Sequence, residues 1–135
     1  MASRDLNDLH PLLRPKAKSF LQVCAMDGID VLIYCTYRSS EEQDELYAKG
    51  RAKPGRIVTN AKGGQSDHNH TDENGKPASL AFDAVPQRSV NGHKECLWSA
   101  PKLYARMGQI AEEVGLKWGG NWHKFQDKPH FYIKL

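Results

Sequence analysis

Four residues in this chain have the side-chain types of a hydrolytic metal site. His68 follows the polar stretch 63–67, Asp83 lies in the next apolar run, and Asp127 precedes His130 by three residues near the C-terminus. Imidazole and carboxylate groups suit a borderline cation such as zinc, and a catalytic zinc ion takes three protein ligands and keeps one open position. Two histidines, one ligating carboxylate and one spare carboxylate therefore indicate zinc-assisted hydrolysis.

The other histidines provide an alternative ligand and several structural candidates. His70 forms a His-x-His pair with His68, and an extended segment would point both rings to one face. Residue type alone therefore leaves the ligand of this segment open between the two. We interpret the other three histidines as structural: His10, His93 and His123.

Three helices are expected to support these side chains. Apolar residues recur at helical spacing up to Met26, starting from Pro11 or Pro15. A second helix is predicted for residues 40–49 behind a capping box of Ser39 and Glu42. The third helix is predicted to be capped by Ser99, with Pro101 in its first turn and Gly115 closing it.

Strands are predicted for residues 30–36, 80–85, 116–118 and 130–135. The first is continuously apolar, so we expect it to be central and covered on both faces. Alternation in the second places Ala81 and Asp83 on one face. Residues 51–65 are predicted as a long loop, 69–79 as an excursion turning at Asn74-Gly75, and 87–98 as an irregular connection. The order of elements predicts an α+β fold with a small, mostly antiparallel sheet.

Arg38 is expected at the end of the first strand, just before the second helix. Functional side chains are often presented at such positions. A surface arginine in an ion pair is the alternative, because exposed ion pairs are common. The sequence alone leaves both interpretations open.

The length and composition of the chain limit the class of protein to which it can belong. The 135 residues predict one domain, and 39% hydrophobic with 26% charged residues is typical of a globular protein. No apolar run reaches the roughly 18 residues that cross a bilayer, and the N-terminus lacks the apolar segment of a signal peptide. The net charge of +3 comes from basic residues interspersed with acids, which does not predict nucleic-acid binding. Three cysteines without CxxC spacing predict a reducing compartment of synthesis.

A series of separate motifs runs from about residue 30 to the C-terminus. They are Tyr37-Arg38-Ser39 with Gln43, Gly50-Arg51-Ala52-Lys53-Pro54-Gly55, Gly63-Gly64-Gln65-Ser66-x-His68-Asn69, Ala81-x-Asp83, Trp118-Gly119-Gly120-x-Trp122 and Asp127-x-Pro129-His130-Phe131. In type and order they resemble the M15-type zinc peptidases of peptidoglycan, which include D-alanyl-D-alanine carboxypeptidases and dipeptidases. The resemblance is strongest to phage endolysins that are L-alanyl-D-glutamate endopeptidases.

The resemblance implies a role for each matching residue. One zinc ion per chain would be held by His68, Asp83 and His130. Asp127 would be the general base, and Arg38 would bind substrate and stabilise the transition state. Ser66 and Gln43 would contribute to substrate binding. Three positions depart from the family pattern: residues 69–79 contain an insertion, Ser79 replaces the family glycine before Ala-x-Asp, and Asn121 stands where many relatives have aspartate.

The same resemblance implies a hedgehog/DD-peptidase-like fold and an activity. Zinc-activated water would hydrolyse the L-Ala–D-Glu bond of the peptidoglycan stem peptide. A D-Ala-D-Ala carboxypeptidase or dipeptidase, or a non-catalytic zinc-containing wall-binding module, are the alternatives. The expected protein is a monomer with no separate wall-binding domain and no membrane insertion. It would be made in the host cytoplasm and reach the wall through a holin-type pore, as expected for bacteriophage lysis.

Overall fold

The computed structural model describes residues 2–135, in which three α-helices lie beside a five-stranded sheet. The helices are α1 (Arg14–Met26), α2 (Ser40–Ala48) and α3 (Pro101–Glu113). The strands are β1 (Asp30–Cys35), β2 (Ala81–Val90), β3 (His93–Cys96), β4 (Lys117–Trp118) and β5 (His130–Tyr132). All pairings between these strands are antiparallel, which confirms the predicted α+β class.

Strand β2 occupies the centre of the sheet, whose order is β1-β2-β5-β4 with β3 paired to the far half of β2. Strand β1 lies at an edge, because β2 is its only strand partner among the described residues. The expectation of a central β1 is therefore wrong. Its apolar side chains are mostly half-buried, since α1 packs against this strand but no second strand flanks it.

A β-hairpin replaces the irregular connection that we expected for residues 87–98. Strand β2 continues to Val90, and β3 pairs back along it from His93 to Cys96. The turn residues Asn91 and Gly92 have φ angles of 49° and 83°. Two successive positive φ angles are the requirement of a type I′ turn, for which Asn-Gly is the favoured sequence.

The helix signals were accurate with one exception. The capping box is present, because Ser39 Oγ accepts a hydrogen bond from the Glu42 N–H while the Glu42 carboxylate accepts one from the Ser39 N–H. The predicted Ser99 cap is wrong: Ala100 is the N-cap of α3 and makes no side-chain cap, and Pro101 starts the helix. Within residues 2–135, none of the helices has both the length and the apolar character to cross a membrane.

Helices α1 and α3 cover one face of the sheet. Phe20 of α1 lies 4.7 Å from Phe131, and Phe131 stacks on Phe82 at 5.6 Å between ring centroids. Each buried phenylalanine contributes about 1.5–3 kcal/mol of transfer free energy. Because side chains alternate along a strand, the residue after Phe82, Asp83, lies on the opposite face. That face of the sheet is where the candidate site is found.

Candidate active site and metal centre

Asp83 lies between two histidine rings in the middle of the sheet. Its Oδ1 is 3.2 Å from His68 Nε2 and 3.3 Å from His130 Nδ1. The two rings are nearly perpendicular, with centroids 5.2 Å apart. All three residues are buried, with exposures of 2% for His68, 8% for Asp83 and 6% for His130. His68 and His130 are 62 positions apart in the chain, and both contact the Asp83 carboxylate.

The sheet register and a short helix bring these groups together. Asp83 of β2 is paired directly with His130 of β5, so both side chains project from the same face. His68 arrives on the 3-10 helix Asp67–Asn69. Ser66 caps this helix, since its Oγ accepts a hydrogen bond of 3.2 Å from the His68 N–H. The structure therefore gives Ser66 a positioning contact with His68, beside the expected role in substrate binding.

The histidine tautomer at His68 fits a metal ligand. Its Nδ1 lies 2.8 Å from the Thr36 carbonyl oxygen, which can only accept, so Nδ1–H is the donor. Nε2 is then the ring nitrogen directed toward Asp83, where a cation could take the place of its proton. Histidines that bind metals usually donate their second ring N–H to a carbonyl or carboxylate in this way. Two imidazoles and one carboxylate also match the three-ligand set of catalytic zinc, so the residues present fit this ion.

Asp127 lies at the rim of the same cluster. Carboxylate and ring atoms of Asp83, Asp127 and His130 all lie within 4.8 Å of one another, and Asp127 is the least buried of the three. Its backbone is held from both sides, because Asp127 N–H donates to Gly119 O at 3.1 Å and His130 N–H donates to Asp127 O at 3.1 Å. A side chain at Gly119 would place Cβ 2.4 Å from Asp127 O, so glycine permits this close approach.

Charge in the cluster is strongly coupled. Burial opposes protonation of His68, but the Asp83 carboxylate outweighs it and raises the pKa of His68 to about 10. Burial alone would raise the pKa of Asp83, yet the two histidines hold this pKa well below its usual range. Burial, and after it the Asp83 charge, raises the pKa of Asp127. Asp83 is therefore the permanent anion of the site, and Asp127 is the carboxylate more ready to take a proton.

Arg38 is held against this cluster by three groups. Its Nη2 lies 3.6 Å from Asp83 Oδ2 and 3.4 Å from Cys35 Sγ, and its Nη1 donates to Gln43 Oε1 at 2.8 Å. Only 15% of the Arg38 side chain is exposed, so it is not an ordinary surface arginine. The structure thus favours the functional interpretation of this residue over the surface ion pair.

Gln43 has a different position from the one expected. It is fully buried, and while its Oε1 accepts from Arg38, its Nε2 donates to Ala61 O at 2.8 Å. Both ends of the amide are therefore used within the protein. We revise its expected role from a direct substrate contact to the positioning of Arg38 and of the loop that contains Ala61.

Three further residues build the site, and sequence reasoning assigned them no function. Thr36 orients His68 through its carbonyl oxygen, and Cys35 Sγ lies 3.7 Å from His68 Nδ1. Asn69 donates to Arg38 O at 2.7 Å and accepts from the Gly64 and Ser66 N–H groups. Their signal was their place in the chain, since Cys35 and Thr36 precede Arg38 and Asn69 follows His68.

His70, the alternative ligand, lies outside the cluster. Neither group of metal-ligand side chains in residues 2–135 includes it: one contains Cys35, His68 and Asp83, and the other Asp83, Asp127 and His130. Its Nδ1 donates to Ala78 O at 2.8 Å, and its ring lies near His10 instead. The geometry therefore favours His68 over His70 at the candidate metal centre.

Known proteins show similarity to both the sequence and the fold. Residues 59–133 match a family described as D-alanyl-D-alanine carboxypeptidase. Over 129 residues the chain is 38% identical to the peptidoglycan L-alanyl-D-glutamate endopeptidase CwlK of Bacillus subtilis (strain 168), covering 92% of this chain and 72% of that protein.

Two solved structures share the fold at lower identity. The L-Ala D-Glu endopeptidase ChiX of Serratia marcescens has a TM-score of 0.62 and 22% identity, over 99% of this chain and 89% of ChiX. The vancomycin resistance D,D-pentapeptidase VanY, solved as a mutant in complex with Zn(II), has a TM-score of 0.62 and 15% identity, over 93% and 72% of the two chains.

Proposed function

Because the chain belongs to the D-alanyl-D-alanine carboxypeptidase family of M15 peptidases, we propose that it cleaves the L-Ala–D-Glu bond of peptidoglycan stem peptides. Family and relatives together make it a cell-wall peptidase. The choice of bond is supported by the 38% identity to an L-alanyl-D-glutamate endopeptidase, which exceeds the 15% identity to the D,D-pentapeptidase.

The convergence of two histidine nitrogens on one carboxylate oxygen carries the proposal. Nε2 of His68 and Nδ1 of His130 lie 3.2 and 3.3 Å from Asp83 Oδ1, and we assign these three residues as ligands of one zinc ion. When bound, such an ion polarises a carbonyl group and makes water a better nucleophile near neutral pH. The Thr36 carbonyl keeps the proton of His68 on Nδ1, so that Nε2 remains the ligand.

Asp127 is the proposed general base. Its position at the rim, within 4.8 Å of Asp83 and His130 ligand atoms, allows it to take a proton from the attacking water. It would then donate that proton to the amine of the departing D-glutamate residue. A carboxylate near its ordinary pKa of about 3.9 is a weak base, so the raised pKa of Asp127 favours this role.

Arg38 is the proposed binding group for negative charge. Its Nη1 donates to Gln43 Oε1, while its Nη2 lies 3.6 Å from Asp83 Oδ2. A planar guanidinium can hold the substrate carboxylate in a bidentate contact or stabilise charge that develops on the carbonyl oxygen. D-Glutamate supplies a carboxylate next to the bond to be cleaved, which fits this role.

A muropeptide mass spectrum tests the proposed reaction. Peptidoglycan digested with the zinc-loaded protein should show fragments that begin with D-glutamate, and a chelator should abolish them. Release of free D-alanine instead would assign the carboxypeptidase or dipeptidase activity. If the zinc-loaded protein releases nothing, it is a wall-binding module, and retention on insoluble peptidoglycan would identify that function.

The phage endolysin role is the biological setting that we propose for this activity. It is supported by the motifs that resemble endolysins, and it requires passage through a pore to the wall. Expression in a Gram-negative cell should therefore cause lysis only when a membrane-permeabilising pore is produced as well. Lysis that is independent of the pore, or no lysis with an active enzyme, would contradict this setting.

A further inference from the structure

A cavity of about 360 Å³ opens at the β4 edge of the sheet. Its walls combine the aromatic rings of Trp122 and Tyr132 with the polar side chains of Glu112, Lys117 and Asn121. The volume lies near the lower end of small-molecule pockets, which hold about 300–1,000 Å³. The cavity therefore has room for one compact ring and not for a long polymer segment.

Trp122 joins this cavity to the candidate zinc site. Its ring centroid lies 5.2 Å from that of His130, and its Nε1–H donates to the Tyr132 hydroxyl at 3.0 Å. His130 and Tyr132 lie on the same face of β5, with ring centroids 5.3 Å apart. Lys117 of β4 pairs with Tyr132 of β5, so these two side chains share this face. Trp122 thus lines the cavity and also contacts His130 of the candidate metal centre.

The two tryptophans of this region differ in what they offer a ligand. The Trp118 ring is covered closely, since a Cβ at Gly108 or Gly120 would lie 2.3 or 2.2 Å from it. Its Nε1–H is also used, donating to Lys128 O at 2.7 Å. The Trp118 ring therefore only forms part of the cavity wall. The Trp122 ring, which packs on one side against His130 and Tyr132, is the aromatic platform on which a ligand could stack.

The lining selects for a ligand with both an apolar face and several hydroxyl or amide groups. Asn121 and Glu112 lie together, with Asn121 Nδ2 donating to Glu112 Oε1 at 3.4 Å, and both are exposed. An apolar ligand would make no use of these polar groups, and the opposite charges of Glu112 and Lys117 favour an uncharged polar ligand over a strongly charged one. A sugar ring has a C–H face that packs on indole and equatorial polar groups that reach such side chains.

We propose that this cavity binds one amino-sugar ring of the glycan strand while the attached stem peptide crosses His130 and Asp83. This inference rests on the proposed function. The stem peptide joins the sugar through a lactyl group and L-alanine, which span about 7 Å at the extended length of roughly 3.3–3.6 Å per residue. That reach matches a cavity whose aromatic platform contacts His130 directly.

Two matched substrates test the proposal. One is N-acetylmuramoyl-L-Ala-D-Glu-diaminopimelate, and the other carries an N-lactoyl group in place of the sugar. For the wild-type protein we expect the sugar-linked substrate to have a kcat/KM about tenfold higher, as one good aromatic contact would give. In Asn121→Ala and Trp122→Leu this ratio should fall toward one, whereas Trp98→Ala, which removes an exposed aromatic ring outside the cavity lining, should keep it.

The outcomes separate the two proposals. If the wild-type enzyme cleaves both substrates with equal kcat/KM, the cavity does not bind the sugar ring and this inference is wrong. The proposed function would still stand. A ratio that persists unchanged in Asn121→Ala and Trp122→Leu would also overturn it. If the zinc-loaded protein cleaves neither substrate, the proposed function fails, and the sugar site fails with it.

Discussion

Two pairs of histidines lie in this fold at almost the same spacing. The ring centroids of His68 and His130 are 5.2 Å apart, and those of His10 and His70 are 5.8 Å apart. The first pair is buried around the Asp83 carboxylate. The second pair lines a cavity between the start of the chain and the excursion 69–79. Spacing alone therefore does not distinguish a metal site from a structural contact.

The hydrogen bonds at the rings make the difference. His68 donates through Nδ1, which leaves its Nε2 as a ligand directed at Asp83. His10 instead accepts the Leu12 N–H at Nδ1, so the neutral ring carries its proton on Nε2. His70 donates through Nδ1 to Ala78 O. The second pair thus offers one free lone pair and one N–H, whereas the first pair offers two nitrogens to a shared anion.

The largest expected difference between the pairs is in zinc binding. His68→Ala should lose zinc and activity together, and His70→Ala should keep about one zinc per chain. Zinc at a hundredfold excess over its Kd adds about 2.7 kcal/mol to the free energy of unfolding, so His68→Ala should also lose the zinc-dependent rise in Tm. Metal analysis and thermal melts with and without zinc measure both effects. Zinc retained in His68→Ala and lost in His70→Ala would move the site to the second pair.

A substitution of Asp127, which lies beside the first pair, tests catalysis separately from metal binding. Asp127→Asn is nearly isosteric, so the fold and the zinc content should survive. The amide cannot accept a proton, and loss of a general base costs about 10²–10⁴-fold in rate. Zinc stoichiometry and peptidoglycan hydrolysis should be measured on one preparation.

A matched control is available for this variant. Asp30→Asn removes a carboxylate from an exposed ion pair with Lys94 and should leave the rate unchanged. Loss of zinc in Asp127→Asn would mean that Asp127 is a ligand and that the role of Asp83 must be reassigned. Full activity in Asp127→Asn would place the general base elsewhere.

Substitution of Arg38 tests whether the residues around His68 and His130 are specialised for catalysis. Arg38→Lys keeps the charge but loses the planar fork, and we expect about a 10²-fold loss of kcat/KM, as for removal of one transition-state donor. Gln43→Ala, which frees Arg38 without touching the cluster, should cost about tenfold, the cost of one charged hydrogen bond of roughly 1.5 kcal/mol. Arg88→Lys, in an exposed ion pair with Glu95, is the control that should have no effect. Near wild-type turnover in Arg38→Lys would make this arginine structural.

The smallest expected effect belongs to the second pair. Partial burial, then His70 and Arg14, lowers the pKa of His10 from its ordinary value of 6.5. The unfolded chain therefore binds more protons at His10 than the folded protein does. As a result, the stability that neutral His10 contributes to the free energy of unfolding is lost as pH falls below 6.5. An NMR titration should place the His10 midpoint below 6.5, and His10→Ala should make the unfolding free energy slightly less pH-dependent between pH 7 and 5. A His10 midpoint at or above pH 6.5 would contradict the effect of burial, His70 and Arg14 on the pKa of this residue.

Much of the fold followed from local signals. Ser39 and Glu42 predicted a helix start because a capping box is decided within four residues. Asn91-Gly92 carried an equally local signal for the β2–β3 hairpin, and overlooking it left residues 87–98 without structure. The edge position of β1 could not be predicted, because apolar side chains on β1 do not reveal whether a helix or a second strand covers them.

The candidate ligands could be named from the sequence, but their surroundings could not. His68, Asp83 and His130 were indicated by type and by resemblance. The choice between His68 and His70 depended on which ring faces Asp83, a tertiary fact. The burial of Gln43 and the contacts of Cys35 with Arg38 and His68 depend on how α2 and β1 meet, which local patterns do not specify.

One measurement tests the zinc assignment most directly: an anomalous difference map at the zinc edge from crystals of the zinc-loaded protein. We expect a single strong peak bonded to His68 Nε2, His130 Nδ1 and an Asp83 oxygen, with Asp127 near but not bonded. The bond lengths should be about 2.0–2.2 Å, the range for nitrogen and carboxylate ligands of zinc. A peak at His10 and His70, or no peak at Asp83, would contradict the assignment.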